Sequence, residues 1–423
     1  MRRAGLVLSD SKGRIYFHDT FEAAGMKAGI FFRLDDDELI KLPPESRLYT
    51  LPDRAAVGYD TEAGEFTSLA HNPVAAFIPP GYTSTFSSPY TLARHAGPLP
   101  LFSYSACAHY RQEIYTTAIR IDRERRHDTR FIDMNLVKKN IFKLRKLFPG
   151  NRLIRHLEDC ALLHGCPGAQ NFFLSRYEGA LPTSSACNAS CLGCISKRSR
   201  QQCRPAQPRI RFKPYPEEIC EAALYSIHNI KDPVVSFGQG CEGEPLINPG
   251  LIERSIRLIR KKTKRGTINM NTNASSPDAL ARLFDAGLDS IRVSLNSAQD
   301  NYYTAYYKPS GYTFKDVIRS ILTAKSRKRF VSLNNLTMPG FTDSRKEIYS
   351  LKGLLDRTGV DMIQWRNLNI DPPLYFKTLG YRPKGEDLLG VRQIIEGLRK
   401  AYPGLKMGYF NPFIPPEAAS PHR

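Results

Sequence analysis

No apolar run in the sequence approaches the roughly 18 residues that a membrane-spanning helix requires. The basic N-terminus, MRRAGLVLSDSKG, has an apolar stretch of only four residues before its first polar pair, which is too short for a secretory signal peptide. These absences exclude a membrane-spanning protein and predict a cytoplasmic one. The 423 residues, of which 41% are hydrophobic, allow two domains or a barrel with an added module.

Acidic residues are scarce relative to basic ones: 41 Asp and Glu stand against 61 Lys and Arg, which gives a formal net charge of +20. A surplus of this size favours an acidic partner, such as nucleic acid, a phosphorylated substrate or a membrane surface. It is concentrated between residues 120 and 155, where twelve basic residues stand against four acidic ones. No nucleic-acid-binding module occupies that stretch. We interpret it as a solvated basic helical face and keep nucleic acid as an alternative partner.

Cysteine is missing after position 241, which predicts that the chain lacks a C-terminal domain with auxiliary iron–sulfur clusters. The nine histidines show no spacing typical of metal ligands. In a cytoplasmic chain, clustered cysteines indicate metal or redox chemistry rather than a disulfide framework. Four scattered cysteines are candidates for a second cluster if the fold gathers them, namely Cys107, Cys160, Cys166 and Cys203.

The alternation of turn signals and periodic segments divides the chain into four parts. Residues 1–133 predict a β-rich N-terminal module, and residues 134–177 predict a helical connector. Residues 178–400 alternate strands with amphipathic helices in six steps, which predicts a parallel sheet covered by helices. Residues 401–423 form a Pro-rich tail. The six predicted strands lie at residues 179–184, 233–237, 267–271, 290–295, 330–336 and 361–368. Periodicity does not decide whether this sheet is open or curled.

The segment FGQGCEGEPLINP at residues 237–249 follows a predicted buried strand and contains the pattern G-x-G-x-x-G. That pattern is typical of dinucleotide-binding loops, in which a pyrophosphate lies against the start of a helix. Here Glu242 and Glu244 would face the pyrophosphate with no favourable charge term, and the next helix begins only at residues 248–249. The context argues against a dinucleotide and favours a ligand that suits carboxylate and carbonyl groups.

A short loop after the first predicted strand holds three cysteines with the spacing C-x3-C-x2-C, namely Cys187, Cys191 and Cys194. Iron–sulfur clusters normally take four cysteines. Three thiolates on one loop can therefore hold three corners of a [4Fe–4S] cube and leave one iron open to a substrate or cofactor. The alternative is a structural zinc site with Cys203 as the fourth ligand, although zinc sites usually pair two shorter cysteine knuckles.

This cysteine spacing resembles the signature of the radical SAM superfamily, and the resemblance extends over residues 178–370. Residues 243–245 (GEP) are similar to the family's GGEP segment at the end of the second strand. Residues 272–274 (TNA) and 293–296 (VSLN) are similar to its segments on the third and fourth strands. The resemblance implies an α/β fold: a partial (β/α)6 radical SAM barrel, preceded here by a β-rich N-terminal module.

Two positions depart from the family pattern. Gly193 precedes the third cysteine, where the family often has an aromatic residue, and Glu242 stands where the first glycine of GGE is expected. The first departure puts the packing near the adenine in doubt, but not the cluster.

The resemblance implies that S-adenosylmethionine (SAM) binds the open iron of a [4Fe–4S] cluster. Gly243 and Glu244 would accept hydrogen bonds from the methionyl amino group of SAM. Asn273 would lie at the rim of the ligand, and Ser294 and Asn296 near its ribose. These five residues are the predicted cofactor-binding set, and the three loop cysteines are the predicted metal ligands.

Cys241 lies within the predicted SAM-binding loop and is the one candidate catalytic side chain. It could face the cavity as a hydrogen donor or covalent partner, although a small buried residue is the simpler interpretation. Arg366, at the end of the sixth predicted strand, is a candidate for holding an anionic group. Tyr302, Tyr303, Tyr306 and Tyr307 follow the fourth strand, where they would pack in the core or line a substrate mouth.

The resemblance implies an enzyme that cleaves SAM reductively to a 5′-deoxyadenosyl radical and removes hydrogen from a small metabolite or peptide that the sequence does not identify. It also implies a one-electron donor, such as flavodoxin or ferredoxin, as a partner. Two alternatives stay open at this point. One is an RNA-modifying enzyme of the same superfamily, and the other is a non-catalytic iron–sulfur or zinc-binding protein.

Overall fold

The computed structural model describes residues 4–126, 128–197 and 205–415. Within these residues, the N-terminal region contains an antiparallel sheet of eleven strands and, apart from it, a two-stranded hairpin, β3–β4. The first thirteen strands are β1 Gly5–Ser9, β2 Ile15–Glu22, β3 Ala24–Lys27, β4 Ile30–Arg33, β5 Leu39–Lys41, β6 Arg47–Thr50, β7 Arg54–Asp60, β8 Glu65–Leu69, β9 Asn72–Phe77, β10 Tyr82–Ser84, β11 Tyr90–Leu92, β12 Ser105–Tyr110 and β13 Glu113–Arg120.

Three helices follow the antiparallel sheet: α1 Met134–Leu147, α2 Arg152–Leu162 and α3 Pro167–Phe173. Asp133 and Asn151 begin α1 and α2, because each side chain accepts backbone N–H bonds from the first turn. Both helices bury one face, and the cysteine at position 160 lies on the buried face of α2.

The second sheet of the described chain has seven parallel strands in sequence order, β14 to β20, with helices between them. In chain order these elements are β14 Glu178–Ala180, α4 Pro216–Asn229, β15 Val234–Phe237, α5 Pro249–Lys262, β16 Thr267–Thr272, α6 Pro277–Ala286, β17 Ser290–Leu295, α7 Asp300–Tyr307, α8 Phe314–Ser326, β18 Phe330–Thr337, α9 Arg345–Thr358, β19 Met362–Asn367, α10 Pro372–Leu379, α11 Val391–Ala401 and β20 Lys406–Gly408. Each of the six predicted strands overlaps an observed one.

The parallel sheet is curled, which settles what periodicity left open. Asn411, just past β20, donates hydrogen bonds to Glu178 on β14 at 2.8 Å and to Asn271 on β16 at 3.0 Å. It also accepts one from Gln364 on β19 at 3.1 Å. In a flat sheet β14 and β19 would lie about 24 Å apart, since neighbouring strands are about 4.8 Å apart. The predicted partial barrel after a β-rich module is therefore confirmed.

The sequence prediction missed the seventh strand. Residues 406–408 (KMG) were assigned to a Pro-rich tail, but they pair in parallel with β19, and Asn411 beyond them is 1% exposed. A three-residue strand containing lysine and glycine has almost no periodic signal of its own, so only its pairing partner reveals it. The other predicted domain boundaries, at residues 133/134 and 177/178, stay predictions.

The antiparallel sheet contacts the barrel at its last long strand. The Thr83 hydroxyl donates to the carbonyl of Trp365 at 2.7 Å, and the Asn367 side chain bonds the backbone of both Tyr82 and Ser84. These contacts place the N-terminal sheet against β19, next to the carboxyl ends of the parallel strands. No helix in the described ranges is both long and apolar enough to cross a membrane.

Candidate active site

The three loop cysteines lie together at the carboxyl end of β14, half-buried, and line one cavity of about 170 Å³. The cysteine loop is attached to α7, because the N–H groups of Ser190 and Leu192 donate to carbonyls at the C-terminal end of that helix. Burial is the largest cause of the raised pKa values of Cys187 and Cys191. Thiols gathered at a strand end on one loop can converge on one cluster.

Arg209 adds a positive charge beside this loop, which the sequence prediction did not include. Its Nη2 lies 3.7 Å from the sulfur of Cys194, its Nε donates to Ser196, and the residue lines the same cavity. A guanidinium in this position stabilises thiolates and the net negative charge of a thiolate-bound cluster. The residue lies fifteen positions after Cys194, where no motif marks it.

Gly193 leaves room for a tyrosine that packs against the cysteine loop. A Cβ at position 193 would lie 2.7 Å from the hydroxyl oxygen of Tyr306, so a larger residue would displace that ring. Tyr306 and Tyr307 line the barrel cavity, whereas Tyr303 is fully buried against Phe314. An aromatic ring from α7 therefore lies beside Gly193, although the residue that often supplies one in the family is missing.

Glu242 is the centre of the loop between β15 and α5. Its carboxylate accepts N–H bonds from Thr183 and Ser184 at 2.7 and 3.0 Å, and from Gly238 and Gln239 at 2.6 and 2.7 Å. The side chain is 4% exposed. It thereby joins the end of the first strand to the turn after the second. Both oxygens of the Glu242 carboxylate thus bind the protein's own backbone.

Gly243 and Glu244 follow directly and line the 170 Å³ cavity. A Cβ at Gly243 would lie 1.9 Å from the carbonyl oxygen of Ala186, so the close approach to the cysteine loop requires glycine here. The Glu244 carboxylate accepts hydrogen bonds from the Thr272 hydroxyl at 2.5 Å and the Asn273 N–H at 2.8 Å. Glu244 thus ties the ends of the second and third strands together at the cavity.

We expect Glu244 to make the stability of the apoprotein depend on pH. Burial, the largest effect, raises the pKa of its carboxyl from 4.5 to about 7. An acid with a higher pKa in the folded chain contributes stability that is full below its unfolded pKa and is lost as the pH rises through about 7. Between about pH 5 and about pH 8, the unfolding free energy of the wild type should fall by about 2–3 kcal/mol more than that of Glu244→Gln.

Chemical denaturation of the two apoproteins at both pH values measures this difference. Burial also raises the pKa values of Glu242, Asp289 and Glu347, but these carboxyls are present in both proteins and cancel in the comparison. Parallel pH profiles for the wild type and Glu244→Gln would contradict the assignment.

Of the other predicted cofactor contacts, Asn273 and Ser294 line the 170 Å³ cavity, whereas Asn296 does not. The Asn273 side chain donates to Asn188 at 2.7 Å, which links the third strand to the cysteine loop. Asn296 is 1% exposed, and its amide donates to the carbonyl of Tyr302 at 3.2 Å. The structure therefore gathers Asn273 and Ser294 with the cysteines and places Asn296 behind them.

A larger cavity of about 480 Å³ fills the barrel and meets the first one along shared walls, because both are lined by Cys191, Arg292, Ser294 and Tyr307. It has the size of a ligand-binding pocket. The largest hollow, about 640 Å³, opens at the amino ends of the strands and contains none of the predicted site residues. We assign the site to the carboxyl ends, where barrel enzymes carry their chemistry.

Five polar atoms around the 480 Å³ cavity are buried and have no hydrogen-bond partner among the described residues: Arg126 Nε, Arg292 Nε, Tyr307 Oη, Asn334 Oδ1 and Asn369 Oδ1. Buried polar atoms in folded proteins are nearly always paired, with protein or with ligand and water. This cluster of exceptions indicates that a polar ligand completes the cavity.

Arg292, which lines both cavities, is a second residue that sequence reasoning missed. It is the only charged residue in SIRVSL, and it alternates with Ser290 and Ser294, so all three face the barrel interior. Burial, aided by the like charge of Arg366, lowers the pKa of Arg292 to about 9, so the guanidinium is still charged at neutral pH. Among the described residues, no carboxylate forms an ion pair with it. The signal was present in the strand: a lone arginine at an inward position.

Arg366 lines the same cavity, as predicted for a residue at the end of the sixth strand. Its Nη1 donates to the carbonyl of Tyr409 at 3.1 Å, and its guanidinium stacks on the Tyr409 ring. The contact with Tyr409 fixes the guanidinium in the lumen. The guanidinium groups of Arg292 and Arg366 therefore line the same polar cavity.

Cys241, the predicted catalytic side chain, lines neither cavity and is 4% exposed. Its thiol contacts that of Cys160 on α2. The hydrogen bond from Cys241 lowers the pKa of Cys160 to about 5, and the same contact raises the pKa of Cys241. Of the four cysteines considered for a second cluster, Cys107 lies apart in the N-terminal sheet, and Cys203 lies outside the described residues.

Comparisons with known proteins agree with this site. Residues 181–351 match the family model of the Radical SAM superfamily, and this range contains all three loop cysteines and the strands β16 and β17, which carry cavity-lining residues. The chain therefore carries a radical SAM domain at residues 181–351. The curated protein "FeMo cofactor biosynthesis protein NifB" of Klebsiella pneumoniae is 26% identical over 184 residues, which are 39% of this chain and 38% of that protein. The match therefore spans well under half of either protein.

Solved structures with detectable similarity include the [FeFe]-hydrogenase maturase HydG and Streptococcus suis SuiB bound to S-adenosylmethionine. HydG is 16% identical with a TM-score of 0.38, and the match covers 65% of this chain and 66% of that one. SuiB is 12% identical with a TM-score of 0.40, and the match covers 59% and 56% of the two chains.

The family match supports an enzyme of unspecified reaction with a [4Fe–4S] cluster and SAM as its cofactors, and radical SAM enzymes require an electron donor and a substrate. The donor set fits these cofactors: three thiols converge on one cavity, and unpartnered polar atoms surround the next. The comparisons give no support to a nucleic-acid partner. The family match favours an enzyme over the non-catalytic alternative.

Proposed function

We propose that this radical SAM enzyme removes a hydrogen atom from a small metabolite or peptide segment that carries an anionic group. The main support for this proposal is the environment of Arg292. Its guanidinium lies in the barrel without a carboxylate partner in the described chain, and its Nε has no hydrogen-bond acceptor there. A buried charge is costly unless it is paired. An anionic ligand would supply the missing partner.

In this proposal, Cys187, Cys191 and Cys194 hold the cluster. A reduced cluster held there would supply one electron to the sulfonium of SAM, and the S–C5′ bond would break to give methionine and a 5′-deoxyadenosyl radical able to take hydrogen from the substrate. Gly243 and Glu244 orient the methionyl end of SAM, because both line the cavity that the three thiols share. The Glu244 carboxylate is itself held by Thr272 and Asn273 at the end of β16 and by the N–H of Leu246, so it offers a fixed acceptor rather than a mobile one.

Asn273 and Ser294 line the same cavity and would contact the remainder of SAM. Asn296 would not contact SAM but would position α7, since its amide donates a hydrogen bond to the carbonyl of Tyr302 in that helix. The adjoining 480 Å³ cavity is left for the substrate. Its walls hold Arg292 and Arg366 on one side and the aromatic rings of α7 on the other, which suits a compact anion with an apolar portion.

The experiment is anaerobic reconstitution with iron and sulfide, followed by reduction and addition of SAM. Formation of 5′-deoxyadenosine, measured by chromatography, tests the enzyme activity itself. A panel of small carboxylates, phosphates and uncharged analogues then tests substrate class, with deuterium transfer from a labelled compound into 5′-deoxyadenosine as the readout. Anionic compounds should stimulate cleavage. Stimulation by uncharged analogues alone would contradict the role of Arg292, and absence of SAM cleavage would contradict the whole proposal.

A further inference from the structure

A second group of metal-ligand side chains lies behind the SAM-binding loop. The ligand atoms of His156, Cys160 and Cys241 all lie within 4.8 Å of one another. His156 and Cys160 are four residues apart on α2 and therefore project from the same face of the helix. Cys241 reaches them from the loop after β15. Sequence reasoning saw no histidine with ligand spacing, because the third donor lies about eighty positions away in sequence and only the fold brings it near.

The spacing of these atoms matches a single tetrahedral ion. Zinc–sulfur bonds of about 2.3 Å and zinc–nitrogen bonds of about 2.0 Å at tetrahedral angles separate two sulfurs by about 3.8 Å and a sulfur from a nitrogen by about 3.6 Å. The Cys160 sulfur lies 3.7 Å from His156 Nε2. A [4Fe–4S] cube spreads its thiolates more widely, because each binds a different iron.

We propose that His156, Cys160 and Cys241 bind one zinc ion that holds the SAM-binding loop to helix α2. Cys160 and Cys241 are 1% and 4% exposed, which is typical of a closed structural site rather than a catalytic one. Cys166, whose N–H donates to the carbonyl of Cys160 at 3.0 Å, is a nearby thiol, but its ligand atom lies outside the 4.8 Å group and the residue lines the 480 Å³ cavity.

The position of the ion gives it a specific task. Cys241 directly precedes Glu242 and Gly243, the residues that join the SAM-binding loop to the first strand and to the cysteine loop. The backbone carbonyl of Cys241 also accepts the N–H of Ile210 at 2.8 Å. An ion on its sulfur would fix this loop at a residue that lines neither cavity, so that the loop keeps its shape whether or not cofactor is bound.

The test uses a full-length variant in which Cys187, Cys191 and Cys194 are all replaced by alanine, so that the loop cannot hold a cluster and its metal content reports only the second site. Mass spectrometry of metals should find about one zinc per chain and almost no iron. Adding Cys160→Ser or Cys241→Ser should remove the zinc. Adding Cys107→Ser is the matched control, because this buried cysteine lies apart in the N-terminal sheet, and it should leave the zinc in place.

If the buried substitutions prevent folding, His156→Ala is the second variant, since this half-buried residue leaves both thiols in place. It should weaken zinc binding about 100-fold or more, because loss of an outer-shell partner alone costs 10–100-fold. Titration of the metal-free variant with cobalt should also give the absorption bands of tetrahedral thiolate coordination. Zinc that survives the substitutions, about four irons per chain in place of zinc, or metal-free protein with a Cys160–Cys241 disulfide would each overturn the proposal. None of these readouts depends on SAM cleavage.

Discussion

Replacing Cys191 by alanine should abolish both the iron–sulfur cluster and the cleavage of SAM. Its sulfur lines both cavities, so its loss removes one of the three thiolates that would hold the cube at the point where cofactor and substrate meet. A cube held by two cysteines lacks the ligands it needs. After anaerobic reconstitution, the variant should carry far fewer than the ~4 irons of an intact cube. It should form 5′-deoxyadenosine at least about 1,000-fold more slowly, the range in which essential catalytic groups fall.

Cys220→Ala is the matched control for this experiment. Cys220 is a 4% exposed cysteine on the buried face of α4 and lines neither cavity, so its loss should leave iron content and SAM cleavage nearly unchanged. Wild-type iron content and activity in Cys191→Ala would show that the loop does not hold the cluster. Zinc that is bound by the wild type and lost with Cys191 would do the same and would restore the structural-zinc alternative for the loop.

Glu242→Ala should destabilise the protein about as much as truncation of a large core side chain. The carboxylate accepts four backbone N–H bonds at 2.6–3.0 Å, and without it Thr183, Ser184, Gly238 and Gln239 keep buried donors with no acceptor. Each buried unsatisfied donor costs about 1–3 kcal/mol, and water that enters the space recovers part of this. We expect the free energy of unfolding to fall by about 4 kcal/mol.

The affinity for SAM should fall in the same variant, because Gly243 and Glu244 follow directly in the loop that Glu242 fixes. Urea denaturation measures the first effect, and equilibrium binding of SAM to the reconstituted protein measures the second. Glu396→Ala, at an exposed position of α11, is the control and should change stability by no more than about 0.5 kcal/mol. A loss below about 1 kcal/mol in Glu242→Ala would mean that the four donors find other acceptors.

The two glutamates of GCEGEP show where reasoning from the sequence reached its limit. The sequence placed both in a loop at a strand end and showed that a pyrophosphate would not suit them. It assigned the ligand contact to Glu244, which the structure places at the cavity. It could not assign Glu242, because the four donors that surround it come from residues 183–184 and 238–239, which approach each other only when β14 and β15 pair.

Three features could be predicted from the amino-acid sequence: the cluster motif, the order of strands and helices, and the position of the cysteine loop at the carboxyl end of the first parallel strand. These are local properties: thiol spacing sets what one loop can bind, and hydrophobic periodicity sets each element. Three features became visible in the folded chain alone. The sheet curls, and Arg292 enters a cavity without a partnering carboxylate in the described chain. Cys241 lies against Cys160 and His156 rather than at the candidate active site. Those facts depend on contacts between residues far apart in the chain, and no pattern within a single segment encodes them.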